Sequence, residues 1–136
     1  MDTERNQAVF RRVIGEVFNQ GNYQNMLELF NPDFIEHQFG LHATIAGFRS
    51  DIEKLRSDFP DLNLTIEEMV AVEDKVWVRM SARGTNSTGF MGPPNGKRFE
   101  IAIFDECRFQ EGKIVEHWGS PDRFAMMAQL GLLPRR

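Results

Sequence analysis

One cysteine, Cys107, is all the chain has, so no intramolecular disulfide can form. Tyrosine is as scarce: there is one, against twelve phenylalanines. An interior built from these aromatics has walls with few hydroxyls. No apolar run approaches the ~20 residues that a membrane span needs, and the polar start MDTERNQ lacks the apolar stretch of a signal peptide. With the single cysteine, these absences predict a cytoplasmic protein with no membrane partner. Lysine and arginine are scattered and the net charge is −4. Without a basic stripe, nucleic acid is not an expected partner. The three histidines, His37, His42 and His117, have no metal-ligand spacing with one another or with the acids. The glycine-rich piece GPPNG at 92–96 is stiffened by proline and opens no helix, so it is no phosphate cradle. No Ser-His-Asp or Cys-His arrangement can be assembled. No metal and no cofactor are therefore expected.

At 136 residues and 41% hydrophobic content, the chain predicts one globular domain, 1–136, with one core. Val9, Phe10, Val13, Ile14, Val17 and Phe18 recur at helical spacing and predict a helix over 3–20, with Thr3 as a candidate cap. A short helix is predicted over 23–30, broken by Asn31-Pro32-Asp33, then a short strand at 34–37. Phe48, Ile52, Leu55 and Phe59 mark a third helix, over 45–59, which Pro60 stops.

After Pro60 the period drops to two. Leu62, Leu64, Ile66 and Val70 alternate with polar residues, Glu68 being the exception, and Val76, Val78, Met80 and Ala82 form the next strand. Residues 84–97 are a loop with Phe90 and Met91 at its middle, suited to a lid or to a plug at the domain edge. Residues 98–109 are one strand. At ~3.3 Å per residue it is too long to stay flat in a domain of this size, so the sheet must curl. A tight turn at Glu111-Gly112-Lys113 leads to a last strand. A final helix over 121–130 has Ser120 as candidate cap and Pro121 at its first position. Helices followed by a meander of long strands predict an α+β domain. A curved antiparallel sheet wrapped around N-terminal helices forms a cone, and its internal pocket suits a small ligand.

Stretch 105–122, DECRFQEGKIVEHWGSPD, concentrates the chemistry. Asp105 falls on an otherwise apolar row with Phe99, Ile101, Ile103, Cys107 and Phe109. Burial there disfavours the charged form and suits an acid or base working near neutral pH. An ion pair with Arg79 or Arg108 is the plain alternative. Asp122, in the first turn of the last helix, suits an ionised base or simply a residue that stabilises its own helix. His117 depends on register: a three-residue turn puts it on the Asp105 face, a two-residue turn puts Trp118 there instead. Cys107 reads as packing.

The pieces FIEH at 34–37, GF at 47–48, RGT at 83–85, FMGPPNGK at 90–97, RFQEGKIVEHW at 108–118 and QLGLL at 129–133 span nearly the whole chain. With them the sequence resembles the SnoaL-like polyketide cyclases of the nuclear-transport-factor-2-like superfamily. DECRFQEGK is also similar to the ketosteroid isomerases. The resemblance implies the cone fold and a homodimer through the outer face of the sheet. It implies a cofactor-free lyase or isomerase that closes a ring by intramolecular aldol chemistry on an apolar carbonyl compound. Asp122 would be acid–base and His37 a pocket histidine serving as a second acid–base group. Asp105 would be a hydrogen-bond donor. Phe48, Trp77, Phe90, Met91, His117, Trp118 and Met126 would shape the pocket. Asn86 departs from the cyclase pattern, which tends to have a histidine soon after RGT. The alternative function is a non-catalytic binding protein for a small hydrophobic ligand.

Overall fold

A computed structural model describes residues 2–134. Helix α1 (Thr3–Arg12) is capped by Asp2, whose side chain accepts from the Arg5 amide at 2.9 Å. The cap thus lies one residue before Thr3. The helix continues as a π-helical segment, Val13–Asn19. Helix α2 is a single turn, Met26–Leu29, shorter than the spacing predicts, because Phe30 already takes extended backbone and opens strand β1 (Phe30–Glu36). Proline is tolerated inside β1 because the strand is at the sheet edge and its register slips between Phe30 and Ile35. Helix α3 (Ile45–Asp58) is capped by Thr44. Strands β2 (Asn63–Val72), β3 (Lys75–Thr85), β4 (Arg98–Gln110) and β5 (Lys113–Pro121) follow. The last helix, α4 (Arg123–Gln129), is capped by Asp122 rather than Ser120, since β5 runs on through Pro121.

The five strands form one sheet in the order β1-β5-β4-β3-β2, antiparallel except where β1 runs parallel to β5. This is the expected α+β cone, with the sheet curved but not closed around the helices. Two bulges set which residues face inward. In β2 the register shifts between Ile66 and Glu68, which turns Glu68 and Val70 to the outer face and explains why Glu68 broke the alternation. In β5 an extra residue, Val115, sits between Ile114, which pairs with Phe109, and Glu116, which pairs with Arg108.

The core joins the helices to the inner face of the sheet. Phe59 is fully buried in it, with the Phe90 and Phe99 ring centroids 4.9 and 5.0 Å away. Of the pair in the 84–97 loop, Phe90 therefore serves as a plug, whereas Met91 is exposed. Phe59→Ala removes the ring both neighbours rest on. It should cost about 3–5 kcal/mol of folding stability, read as a fall in the urea midpoint. A loss under about 1 kcal/mol would show that Phe90 and Phe99 close the gap.

Candidate active site

The bulge at Val115 decides the site. The β4–β5 turn is the two-residue form, with Glu111 and Gly112 both at positive φ (52° and 75°). On its own that turn would bring Trp118 to the face of Asp105. The extra residue reverses this. Cys107 pairs with His117 and Asp105 with Gly119, so His117 points inward and Trp118 outward. The parallel pairing with β1 then sets Glu36 beside His117.

The result is a buried row of three groups. His117 Nδ1 donates to Glu36 at 2.7 Å, and His117 Nε2 lies 2.9 Å from Asp105 Oδ2. The three side chains are almost sealed, with 0% of Glu36, 11% of His117 and 9% of Asp105 exposed. Burial by itself pushes the imidazole pKa down. The bonds from Asp105 and Glu36 outweigh it, so the pKa rises from 6.5 to about 10. At neutral pH His117 is thus an imidazolium, with both ring N–H groups engaged. The second oxygen of Asp105, Oδ1, is buried and has no hydrogen-bond partner. A buried acceptor left unmet costs about 1–3 kcal/mol, so this atom is an open acceptor for whatever enters. The imidazole edge and carboxylate fit because residue 119 is glycine. A Cβ there would stand 2.8 Å from Asp105 Oδ1 and 2.9 Å from His117 Cε1, and would collide with the Gln38 amide.

Asp105, His117, Gln38 and Cys107 line a cavity of about 300 Å³, the lower end of the ~300–1,000 Å³ typical of ligand pockets. Most of its wall is apolar, with Phe10, Val13, Ile14, Phe48, Met80 and Ile101 from the helices and sheet. The mouth opens between the β1–α3 loop, α3 and α4. The Cys107 thiol is pushed well up, first by burial and then by the charge of Asp105, which leaves it an unreactive packing group.

The residues expected at the site divide as follows. Asp105, His117, Phe48 and Met126 line the cavity. Asp105 meets neither Arg79 nor Arg108: Arg108 binds Glu116, and Arg79 lies 3.7 Å from Glu68. His37 lies outside the cavity, because Glu36 is the inward residue of β1 and its neighbour must point away. Its ring stacks on Trp118, with centroids 4.7 Å apart, and its Nε2 donates to Glu116 at 2.8 Å. Those bonds from His37 and Arg108 hold the Glu116 carboxyl below its usual range. Trp77 and Trp118 are on the outer face, and neither Phe90 nor Met91 reaches the cavity. Asp122 is exposed, and its side chain accepts from the Ala125 amide at 3.0 Å, so it caps α4 without lining the cavity. Sequence reasoning missed Glu36 and Gln38. The signal available for Glu36 was its parity with Phe34, since residues two apart on a strand share a face.

The model of the SnoaL-like polyketide cyclases matches residues 8–130. The chain belongs to that family. IdmH of Streptomyces antibioticus, a candidate polyketide cyclase, is 34% identical, and the match covers 93% of this chain and 98% of that one with a TM-score of 0.85. AclR of Streptomyces galilaeus, a candidate hydroxylase, is 27% identical over 98% and 89% of the two chains, and TsrD of Streptomyces laurentii is 25% identical over 98% and 99%. Both have a TM-score of 0.86. No curated protein matches the sequence. Among the described residues, no helix is long and apolar enough to cross a membrane.

His117 carries a pH prediction. An imidazole whose pKa rises on folding adds stability that is present in full below about 6.5. That stability fades as pH climbs toward about 10. In a proton NMR titration of the three histidines, His117 should keep its imidazolium shift past pH 8, and the urea midpoint should fall as pH is raised from 7 to 9.5. An His117 midpoint near 6.5 would mean that the two carboxylates do not hold the proton.

Proposed function

We propose that this protein catalyses proton transfer at the carbon next to a carbonyl, in the service of an intramolecular aldol ring closure on an apolar carbonyl compound. The observation that carries the reading is Asp105 Oδ1, an unpartnered buried carboxylate oxygen in an apolar cavity whose other oxygen is fixed by an imidazolium. Asp105 Oδ1 takes the α-proton. The carbon so freed attacks a second carbonyl of the same molecule, and the proton returns from Asp105 to the new alkoxide oxygen. One C–H bond and the π bond of the attacked carbonyl break, one C–C bond and one O–H bond form, and nothing is oxidised or reduced. The Gln38 side chain lies over Gly119 beside Asp105 with its Oε1 nearest; a half-turn of this amide would bring its N–H donors to the enolate oxygen. Glu36 does not touch the reacting atoms. It fixes the ring of His117 and keeps it charged, the part an orienting carboxylate plays toward a histidine. The family match and the IdmH likeness support a cyclase. They leave the substrate open, because one fold hosts many reactions.

This reading moves the acid–base work from Asp122 and His37 to Asp105. The test is α-proton exchange of 1-tetralone in deuterium oxide, followed by NMR. Asp105→Asn should lose about 10²–10⁴-fold in rate, while Asp122→Asn stays within a few-fold and keeps its fold, since Asn caps a helix about as well as Asp. The reverse pattern would restore Asp122 as the acid–base residue. No exchange by the wild-type protein would favour the non-catalytic binding protein.

The same reading includes a homodimer through the outer face of the sheet. There Val70, Trp77 and Trp118 lie across β2, β3 and β5, with Phe104 on β4 beside them. Trp77 is 47% and Phe104 58% exposed, around a depression rimmed by Glu68 and Arg79. A two-fold pairing would cover this belt and set each Arg79 near the other copy's Glu68. Sedimentation should show a dimer that Phe104→Glu converts to a monomer. A monomeric wild-type protein at tens of micromolar would end the idea.

A further inference from the structure

The cavity is polar at both ends, and the two ends differ. At the deep end stands the open acceptor, Asp105 Oδ1. At the mouth stands Arg123. The other charged groups that line the mouth have partners: Lys54 binds Asp58 at 3.0 Å and Asp51 binds His42 at 2.9 Å. Arg123 binds no carboxylate. Its Nη2 donates to the Phe39 carbonyl oxygen at 2.9 Å, and no acidic side chain lies within ion-pair distance of it among the described residues. The β1–α3 loop holds the guanidinium in place. Gly40, at φ +88°, lets Nη1 pack against its backbone, where a Cβ would stand 3.0 Å away. A guanidinium offers five donors in a planar fork. One of them is used here, so the rest of the fork remains for a two-oxygen acceptor.

We propose that the ligand of this cavity is an apolar acid: a flat hydrophobic body with a carboxylate at the mouth, gripped by Arg123, and a hydroxyl or enol O–H at the deep end, given to Asp105. The proposal rests on the reading that this cavity is the ligand site. It names the class of molecule and needs no assumption about catalysis. Both groups line the one cavity, Asp105 from β4 and Arg123 from the first residue of α4, just past the end of β5 at Pro121. A cavity of about 300 Å³ suits a small fused-ring body. Charge favours the same orientation. The deep end holds two carboxyl groups, Glu36 and Asp105, around one imidazole, and its open atom is an acceptor. It repels a carboxylate and accepts a donor, so the acid enters with its anionic end last.

Four probes decide it by calorimetric titration: 6-hydroxy-2-naphthoic acid, its methyl ester, 2-naphthoic acid and 2-naphthol. The wild-type protein should bind the hydroxy acid about two- to fivefold more tightly than the ester, the range of a partly exposed ion pair, and the margin should shrink in high salt. Arg123→Gln should abolish the preference while leaving ester affinity within about twofold. Asp105→Asn should instead remove the advantage of 6-hydroxy-2-naphthoic acid over 2-naphthoic acid and keep that of acid over ester. Equal affinity for acid and ester, an acid preference that survives Arg123→Gln, or binding of none of the four would overturn the proposal. An acid preference in a protein that exchanges no tetralone protons would uphold the ligand class and sink only the catalytic reading. Exchange without any acid preference would do the opposite.

Discussion

The whole site hangs on one extra residue in β5. A strand shows alternate side chains to its two faces, so every side chain beyond Val115 lies on the face opposite to the one an unbulged hairpin would give it. Had the hairpin closed without the bulge, Trp118 would fill the cavity next to Asp105, and His117 would stack in the open beside His37. The bulge therefore does more than bend the sheet: it exchanges an indole for an imidazole inside the cone. Parallel β1 then has to present Glu36, because the residue beside His117 in the ladder shares its face. Gly119 is fixed by the same register. It falls opposite Asp105, where any larger residue would collide with the carboxylate, the imidazole and Gln38.

Three ionisable groups sealed behind apolar walls are poor material for stability. Each must be taken from water, and a buried ion pair seldom outweighs that cost by much. The geometry here leaves one oxygen, Asp105 Oδ1, with nothing to bond to. A purely structural cluster would be expected to close that valence with a protein donor. An open one, at the inner end of a cavity with a mouth, is what a ligand site requires. The outer-face cluster of Arg108, Glu116 and His37 makes the contrast. Its carboxylate is met from both sides, it is partly exposed, and it borders no cavity.

Much of this was legible in the sequence. The helical stripe through Phe10, Val13, Ile14 and Val17, the period-two run after Pro60, and the length of β4 gave the cone. Asp105 stood out as an acid on an apolar row. What the sequence could not convey was parity across irregularities. A bulge adds a residue without any glycine or proline to announce it, and Val115, a β-branched residue between Ile114 and Glu116, looks like ordinary strand. The bulge in β2 left a faint trace, since Glu68 interrupted the alternation. The motif FIEH misled in another way. Histidine draws the eye as the functional residue, and Ile35 looks like the buried one. In fact Phe34 and Glu36 turn inward, and Ile35 and His37 turn out. Asp122 matched the place of a family acid, yet a carboxylate just before a helix has an immediate partner in that helix's own amides, and here that partner is Ala125.

The relatives with this fold include a candidate cyclase and a candidate hydroxylase, two reactions with different demands. A hydroxylation needs an oxidant; a ring closure by aldol addition moves a proton and forms a carbon–carbon bond. The distinction lies in what converges on the substrate, and the groups at this chain's cavity are a carboxyl with a free oxygen, an imidazolium that steadies it, and an amide beside them. Each is suited to handling a proton and a developing negative charge on oxygen. The Cys107 thiol beside them is kept protonated by burial together with the Asp105 charge. On the proposed reading the polar set serves enolate chemistry, and that reading rests on Asp105, His117, Glu36 and Gln38 rather than on the shape of the cone that holds them.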